Sequence, residues 1–174
     1  FLKGQVLHHG SEDCSGLFLV KSGRLRAYIV SDSGKEITLY RLSGWDICLF
    51  SAACIMKNIS FAIYVQAEKD TLAYVIPADL YEDLMQTSLP IADYTSQLMA
   101  SRFSDVVWIM EQVLFTSFDV RLASFLLEQS DMEDSLTLPL THDEIARHLG
   151  SAREVVTRML KYFADEDIVQ LARG

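Results

Sequence analysis

The hydrophobic period changes once along this chain, at Pro77, and that change limits the folds open to it. Ahead of Pro77 lie short apolar runs, "SGLFLV", "RLRAYIV", "EITLYRL", "FAIYVQA" and "TLAYVI". Leu25, Ala27 and Ile29 share one face of the second run, and Ile37 and Leu39 one face of the third, which is the two-residue period of a half-buried strand. "KSGR", "SDSGK" and "SGWD" are turn signals, with Gly23 and Gly34 free to take positive φ. Many short strands with glycine turns predict a β-sandwich or barrel.

After Pro77 the period is helical. "PADLYEDLMQ" predicts a short helix with proline in its first turn. Residues 89 to 115 contain no glycine and predict one long helix. On it Met99, Phe103, Val106, Met110 and Val113 are spaced by four, three, four and three, an a/d seam. Ile91, Leu98 and Ile109 lie on a different face. A helix with two apolar faces needs two partners, here its own β-domain and a second copy in a homodimer. The plainer alternative is a single buried core helix. Beyond it, "TSFDVRLASFLLEQ" predicts another helix, capped at Thr116 or Ser117. An acidic, loop-like "SDMEDS" and a strand-like "LTLPL" follow.

The formal net charge of −9 argues against coating nucleic acid or anionic membrane by bulk charge. A hydrophobic half with 22% charged residues suits a core-forming globular chain. No apolar run reaches the roughly 18 residues that span a bilayer; "ICLFSAACIM" at 47 to 56 is shorter and interrupted by serine. There is no charged-then-apolar leader, although a chain opening with Phe1 reads as a fragment. Cys14, Cys48 and Cys54 form no CxxC pair, and three thiols suit a reducing cytoplasm, with no membrane partner.

The most informative segment is "THDEIARHLGSAREVVTRML". Thr141 and Glu144 have capping-box spacing. Ala146 is small where two helices would cross, Gly150 marks the turn, Val156 and Met159 would glue the second helix down, and Ile145 and Leu149 would supply the first helix's core. These offsets predict a helix-turn-helix. Arg153, Glu154, Thr157 and Arg158 fall in the first turns of the second helix, where a recognition helix meets base edges. Arginine bonds guanine bidentately and glutamate accepts from cytosine, each discriminating by about 1 to 3 kcal/mol. A coating protein would not keep Glu154, because it repels phosphate. Arg147, His148, Ser151 and Lys161 are candidate phosphate contacts. An ordinary helical hairpin with a solvated charged face is the alternative.

With β-domain, long helix and helix-turn-helix in this order, the chain resembles the CRP/FNR family of bacterial transcription regulators. "SAREVVTRML" is similar to the family's recognition helix, and "SGRLRAYIVSDSGKEITLYRLSGWDI" to its cyclic-nucleotide-binding-type jelly roll. The resemblance implies an α+β fold in three parts. These are a β jelly-roll sensing domain over 1–88, a dimerisation helix over 89–116 and a winged helix-turn-helix over 117–174. The wing would begin at "VQLARG", where this sequence stops. It also implies double-stranded DNA with a palindromic site as partner, RNA polymerase as a second, and a small effector. The Glu154-x-x-Thr157-Arg158 spacing resembles the FNR branch, implying TTGAT-like or TGTGA-like half-sites.

The departures bear on the effector. Cyclic-nucleotide binders carry Gly-Glu and later Arg-Ser or Arg-Thr; after "GWDI" this chain reads "CLFSAACIM", and Phe61 and Ala62 stand where Arg-Ser would. The equivalent pocket is expected to be apolar, drawn from Tyr40, Phe61, Ile63 and Val106, and to suit an uncharged or weakly polar effector, or to be filled by its own side chains. Three cysteines cannot supply the four ligands of an iron–sulfur cluster. Cys48 and Cys54 could form a thiol switch, with buried inert cysteine the commoner fate. His8 and His9 would point to opposite faces of a strand, as surface histidines rather than metal ligands. An enzyme of the metal-dependent cupin type lacks its H-x-H set here, so no catalytic residue, metal or cofactor is expected. The remaining rival is a dimeric ligand- or redox-sensing protein acting through a protein partner rather than DNA.

Overall fold

Alternation along the first 76 residues produces seven strands among the described residues, which in this computed structural model are 1–10, 16–51 and 62–172. They are β1 (Val6–His9), β2 (Leu17–Ser22), β3 (Arg24–Val30), β4 (Glu36–Ser43), β5 (Ile47–Cys48), β6 (Tyr64–Ala67) and β7 (Leu72–Ile76). Five helices follow: α1 (Ala78–Thr87), α2 (Leu89–Phe115), α3 (Phe118–Glu133), α4 (His142–Leu149) and α5 (Arg153–Asp165). The chain divides into two compact units, Phe1–Val30 with Thr38–Trp108, and Ser31–Ile37 with Ile109–Gly174. The long helix α2 begins in one and ends in the other.

In the first unit the strands form a four-stranded sheet, β1-β6-β3-β4, and a three-stranded sheet, β5-β2-β7. Antiparallel register sets Leu25 opposite Ala67 and Ala27 opposite Val65, and these residues pack with Phe18, Val20, Leu39, Leu42 and Ile63 into one core. The alternate positions carry a polar layer on the other face. There Arg26 Nε donates to Thr38 Oγ1 at 2.8 Å, and Glu68 accepts from both Arg24 Nε and Arg41 Nε, at 2.9 and 3.0 Å. Gly23 is needed where it stands: its φ is +87°, and a Cβ there would overlap the Asp70 carbonyl and Thr71. His9 is exposed, but His8 is fully buried, which corrects the expectation of two surface histidines. Adjacent strand residues face opposite ways, and β1 pairs with β6 along the core, so one of the two must turn inward.

Helix α1 and the start of α2 cover a second apolar cluster, where Leu17, Leu49 and Tyr81 meet Ile91 and Leu98. Thr95 Oγ1 donates to the Ile91 carbonyl at 2.7 Å and accepts from the Tyr81 hydroxyl at 2.7 Å. Met99 packs against both clusters of this unit. It is half-buried there, unlike the rest of the expected seam. Phe103, Val106, Met110 and Val113 remain exposed along the helix.

The second unit packs α3, α4 and α5 around Leu122, Phe125, Ile145, Ala146, Val156, Leu160 and Phe163. Ile37 pairs with Leu149 there in an isolated antiparallel bridge. Two local expectations fail. "SDME" is the last turn of α3, not a loop, and Asp134 ends the helix in the left-handed conformation at φ 47°. Phe125, Gln129 and Met132 keep a buried or half-buried side at spacings of four and three, so the helical period outlasts the acidic composition. "LTLPL" forms no strand; Pro139 offers no amide donor to a ladder, and Leu140 instead packs against the helical core.

Candidate nucleic-acid interface

Local chemistry fixes both ends of α4. Thr141 Oγ1 accepts from the Glu144 amide at 3.2 Å, and Glu144 Oε2 accepts from the Thr141 amide at 2.7 Å, closing a capping box. Gly150 terminates the helix at φ 64°, its amide returning to the Ala146 carbonyl, which also accepts from Ser151. The half-buried Arg121 of α3 donates from Nη1 to the Leu149 carbonyl at 3.3 Å, a positive charge at the helix's negative end. Burial lowers its guanidinium pKa. Arg121 lies outside the motif, and its role at the turn was not read from the sequence.

Helix α5 starts at Arg153 without a side-chain cap. Val156, Leu160 and Phe163 anchor one side in the core, while Arg153, Glu154, Thr157, Arg158 and Lys161 are exposed on the other. The candidate base readers thus share one accessible helix face. Of the candidate phosphate contacts, Arg147 and Lys161 are exposed, and Ser151 is half-buried in the turn. His148 is half-buried with its ring 5.3 Å from that of Phe125, so part of its work is packing.

Two residues from the first turn of α4 reach the same face, and sequence reasoning missed both. Asp143 pairs with Arg153 at 3.3 Å, both side chains more than half exposed. His142 Nδ1 lies 2.8 Å from Thr157 Oγ1, while Thr157 Oγ1 donates to the Arg153 carbonyl one turn back at 2.9 Å. The available signal was positional: in a tight helix-turn-helix the opening residues of the first helix lie beside the second.

The β-unit holds a second cluster. Tyr40 is buried, and its hydroxyl has no hydrogen-bond partner among the described residues. The Arg102 guanidinium of α2 sits 4.5 Å from the Tyr40 ring centroid and pairs with Asp105 at 2.9 Å. Burial, then the neighbouring Cys48, push the Tyr40 hydroxyl well above its ordinary pKa, with Arg102 opposing. Burial pushes the Cys48 thiol up to about 11, so it is a poor nucleophile near neutrality. Ile63 belongs to the core, Val106 lies on the exposed stripe of α2, and Phe61 lies outside the described residues, as do Cys14 and Cys54. The wholly apolar surroundings expected for Tyr40 are corrected by Arg102 and Asp105. Arg102 and Asp105 lie one helical turn apart on α2 and so can pair beside the ring. Among the described residues no three His, Cys, Asp or Glu side chains converge to hold a metal ion, and no helix is long and apolar enough to cross a membrane.

Residues 1–88 match the cyclic nucleotide-binding domain, and residues 120–174 match the Crp-like helix-turn-helix domain. A chain from Eubacterium rectale, assigned to the CRP/FNR family of transcriptional regulators, has a crystal structure that superposes with a TM-score of 0.96. It is 55% identical to this chain, over 99% of this chain and 80% of that one. This chain belongs to the CRP/FNR family. It is a DNA-binding transcription regulator. The regulatory protein HlyX of Actinobacillus pleuropneumoniae is 26% identical over 96% of this chain and 71% of its own length. A regulator of Xanthomonas campestris described as c-di-GMP responsive, at 20% identity and a TM-score of 0.81 over all of this chain and 88% of its own, shares the fold with this CRP/FNR member.

Proposed function

We propose that this CRP/FNR chain reads a palindromic DNA site as a homodimer and is switched by a signal sensed in its β-unit. The observation that carries the reading is the exposed face of α5. It sets Arg153, Glu154, Thr157 and Arg158 together on a helix whose opposite side is locked into a core. A surface meant only for phosphate would exclude Glu154, whereas a reader of base edges can use it on cytosine. Arg147, Ser151 and Lys161, with a lesser part from His148, would hold register on the backbone.

The apolar stripe of Phe103, Val106, Met110 and Val113 supports α2 as the dimer seam, since large apolar side chains left in water gain most by pairing with a second copy. In the proposed mechanism the paired helices shift when the β-unit binds its signal. The two copies of α5 then change spacing against half-sites about one helical turn apart. The effector site is the neighbourhood of Tyr40, with Arg102 and Ile63 and, from the sequence, Phe61. Arg102 is already neutralised by Asp105, so an anion would have to break that pair; an uncharged or weakly polar molecule is the class we favour. A cyclic nucleotide is not, because Phe61 and Ala62 stand where its phosphate would need a cation. We assign the protein to the cytoplasm, with RNA polymerase as its further partner and no enzymatic activity.

Selection of bound duplexes from a random pool tests the reading: one enriched palindrome is expected, and no enrichment with or without cell extract would refute it. The seam has its own test. Phe103→Asp should turn a dimer into a monomer in sedimentation without loss of helicity, since Phe103 is 71% exposed in the single chain.

A further inference from the structure

Thr157 stands among the base readers, and the two bonds at its hydroxyl restrict how it can read. That oxygen carries one hydrogen, and the Arg153 carbonyl, an obligate acceptor 2.9 Å away, takes it. The contact from His142 Nδ1 at 2.8 Å must then be an N–H donated to Thr157 Oγ1. With its hydrogen turned back along the helix and a lone pair held by His142, the hydroxyl cannot donate to a base. Its rotamer is fixed, because a β-branched side chain bonded to the carbonyl four residues back has few alternatives. What remains for an exposed partner is one lone pair, which can only accept, and the methyl group, the sole apolar contact the side chain offers.

We propose that Thr157 recognises a thymine by contact with the C5 methyl group, and that His142 is the positioning residue holding it in that orientation. This assignment rests on the DNA-reading role of α5 and deepens it. Threonine's methyl is an established partner for the thymine methyl in the major groove. His142 opens α4 immediately after the capping residue Thr141, so the capping box that fixes this helix also fixes the donor.

The test uses the whole chain and its selected palindrome, with each thymine of both half-sites replaced in turn by deoxyuridine, which deletes only the C5 methyl. At one symmetric position the wild type should bind about fourfold more weakly per half-site, about fifteenfold over both, the worth of roughly one buried methyl group on each side. Thr157→Ser keeps the hydroxyl and loses the methyl; it should bind thymine and deoxyuridine duplexes alike. Thr157→Val keeps the methyl and a branched Cβ, and should retain the deoxyuridine penalty. His142→Ala should reduce the penalty without changing affinity for random DNA. His142→Asn, whose amide N–H stands near where Nδ1–H does, should restore it, which a merely structural role for His142 would not produce.

Overall helicity and the midpoint of thermal unfolding should be the same for all four variants, since Thr157 is exposed and His142 is outside the buried core of its unit. If Thr157→Ser keeps the wild-type preference and Thr157→Val loses it, the hydroxyl is the reader and the proposal is overturned. A wild type that prefers its palindrome but ignores every deoxyuridine overturns the methyl assignment alone. A wild type with no preference for any palindrome overturns the DNA-reading role as well.

Discussion

The two clusters of this molecule use the same chemical groups in opposite ways. On α5 an arginine is paired with a carboxylate in the open, Arg153 with Asp143, both side chains more than half exposed. In the β-unit an arginine is paired with a carboxylate at the edge of a core, Arg102 at 13% exposure stacked on buried Tyr40. An exposed pair is worth little and exchanges partners readily, so the proposed contact of Arg153 with DNA would need no reorganisation of the fold. A pair closed over a buried hydroxyl is released only when something supplies equivalent contacts. That is what a reader and a sensor respectively require. The contrast teaches that burial, more than residue type, decides how readily such a pair can exchange its partner.

The largest expected effect lies on the open side. Arg158→Ala should weaken the selected palindrome about a hundredfold, from one lost guanine contact in each half-site, while random duplex weakens only a few-fold. Equal losses on both would make Arg158 a phosphate contact and erase its separation from Lys161.

On the buried side the matching experiment is alkaline pH. The folded-state pKa of Cys48 is raised from about 9 to about 11 by burial. The unfolded chain loses that proton first, so this part of the stability is complete below pH 9 and is lost as pH rises towards 11. The loss should reach about 3 kcal/mol. Cys48→Ala should flatten the slope between pH 9 and 11, read from denaturant midpoints. An unchanged slope would show Cys48 to be wetter than its burial implies, and the sensor cluster closer in character to the reader.

The reader was more legible in the sequence than the sensor, for a physical reason. Helix-turn-helix geometry is local: Thr141, Glu144, Ala146, Gly150 and Val156 act within sixteen residues, so their offsets carry the structure. Its second layer was not legible, because the meeting of His142 with Thr157 depends on side-chain rotamers across a turn. The cluster proposed as the sensor is assembled from residues as far apart as Tyr40 and Arg102, which no period relates. Strand alternation placed Leu25 and Ala27 correctly but does not say what covers Tyr40. Composition misled at "SDME", where polarity read as loop, and at "LTLPL", where β-propensity had no partner strand to pair with.

A smaller effect separates Tyr40's ring from its hydroxyl. The hydroxyl is buried without a partner among the described residues, a state that costs about 1 to 3 kcal/mol. Tyr40→Phe removes that cost and keeps the ring against Arg102 and Phe50, so the unfolding midpoint should rise, by about 1 kcal/mol in stability. If that hydroxyl serves the effector, the more stable variant should bind its DNA yet respond less to the signal in cell extract. A fall in stability would mean the hydroxyl is satisfied in solution and that the cluster is ordinary core.

The smallest effect tests whether the exposed pair of the reader contributes specificity rather than stability. In a docked helix-turn-helix the first helix crosses the DNA backbone, which brings Asp143 near phosphates while it still faces Arg153. On random duplex the pair withholds Arg153 from phosphate, whereas on the palindrome Arg153 has already left Asp143 for a base. Asp143→Asn should therefore raise affinity for random duplex about threefold at low salt and leave the palindrome nearly unchanged, narrowing the ratio between them. The gain should fade as salt approaches 0.5 M, since charges this exposed are screened within a few ångströms there. If Asp143→Asn instead weakens the palindrome and leaves random DNA alone, the carboxylate aims Arg153 at its base. The open pair would then be held to one geometry as firmly as the buried one.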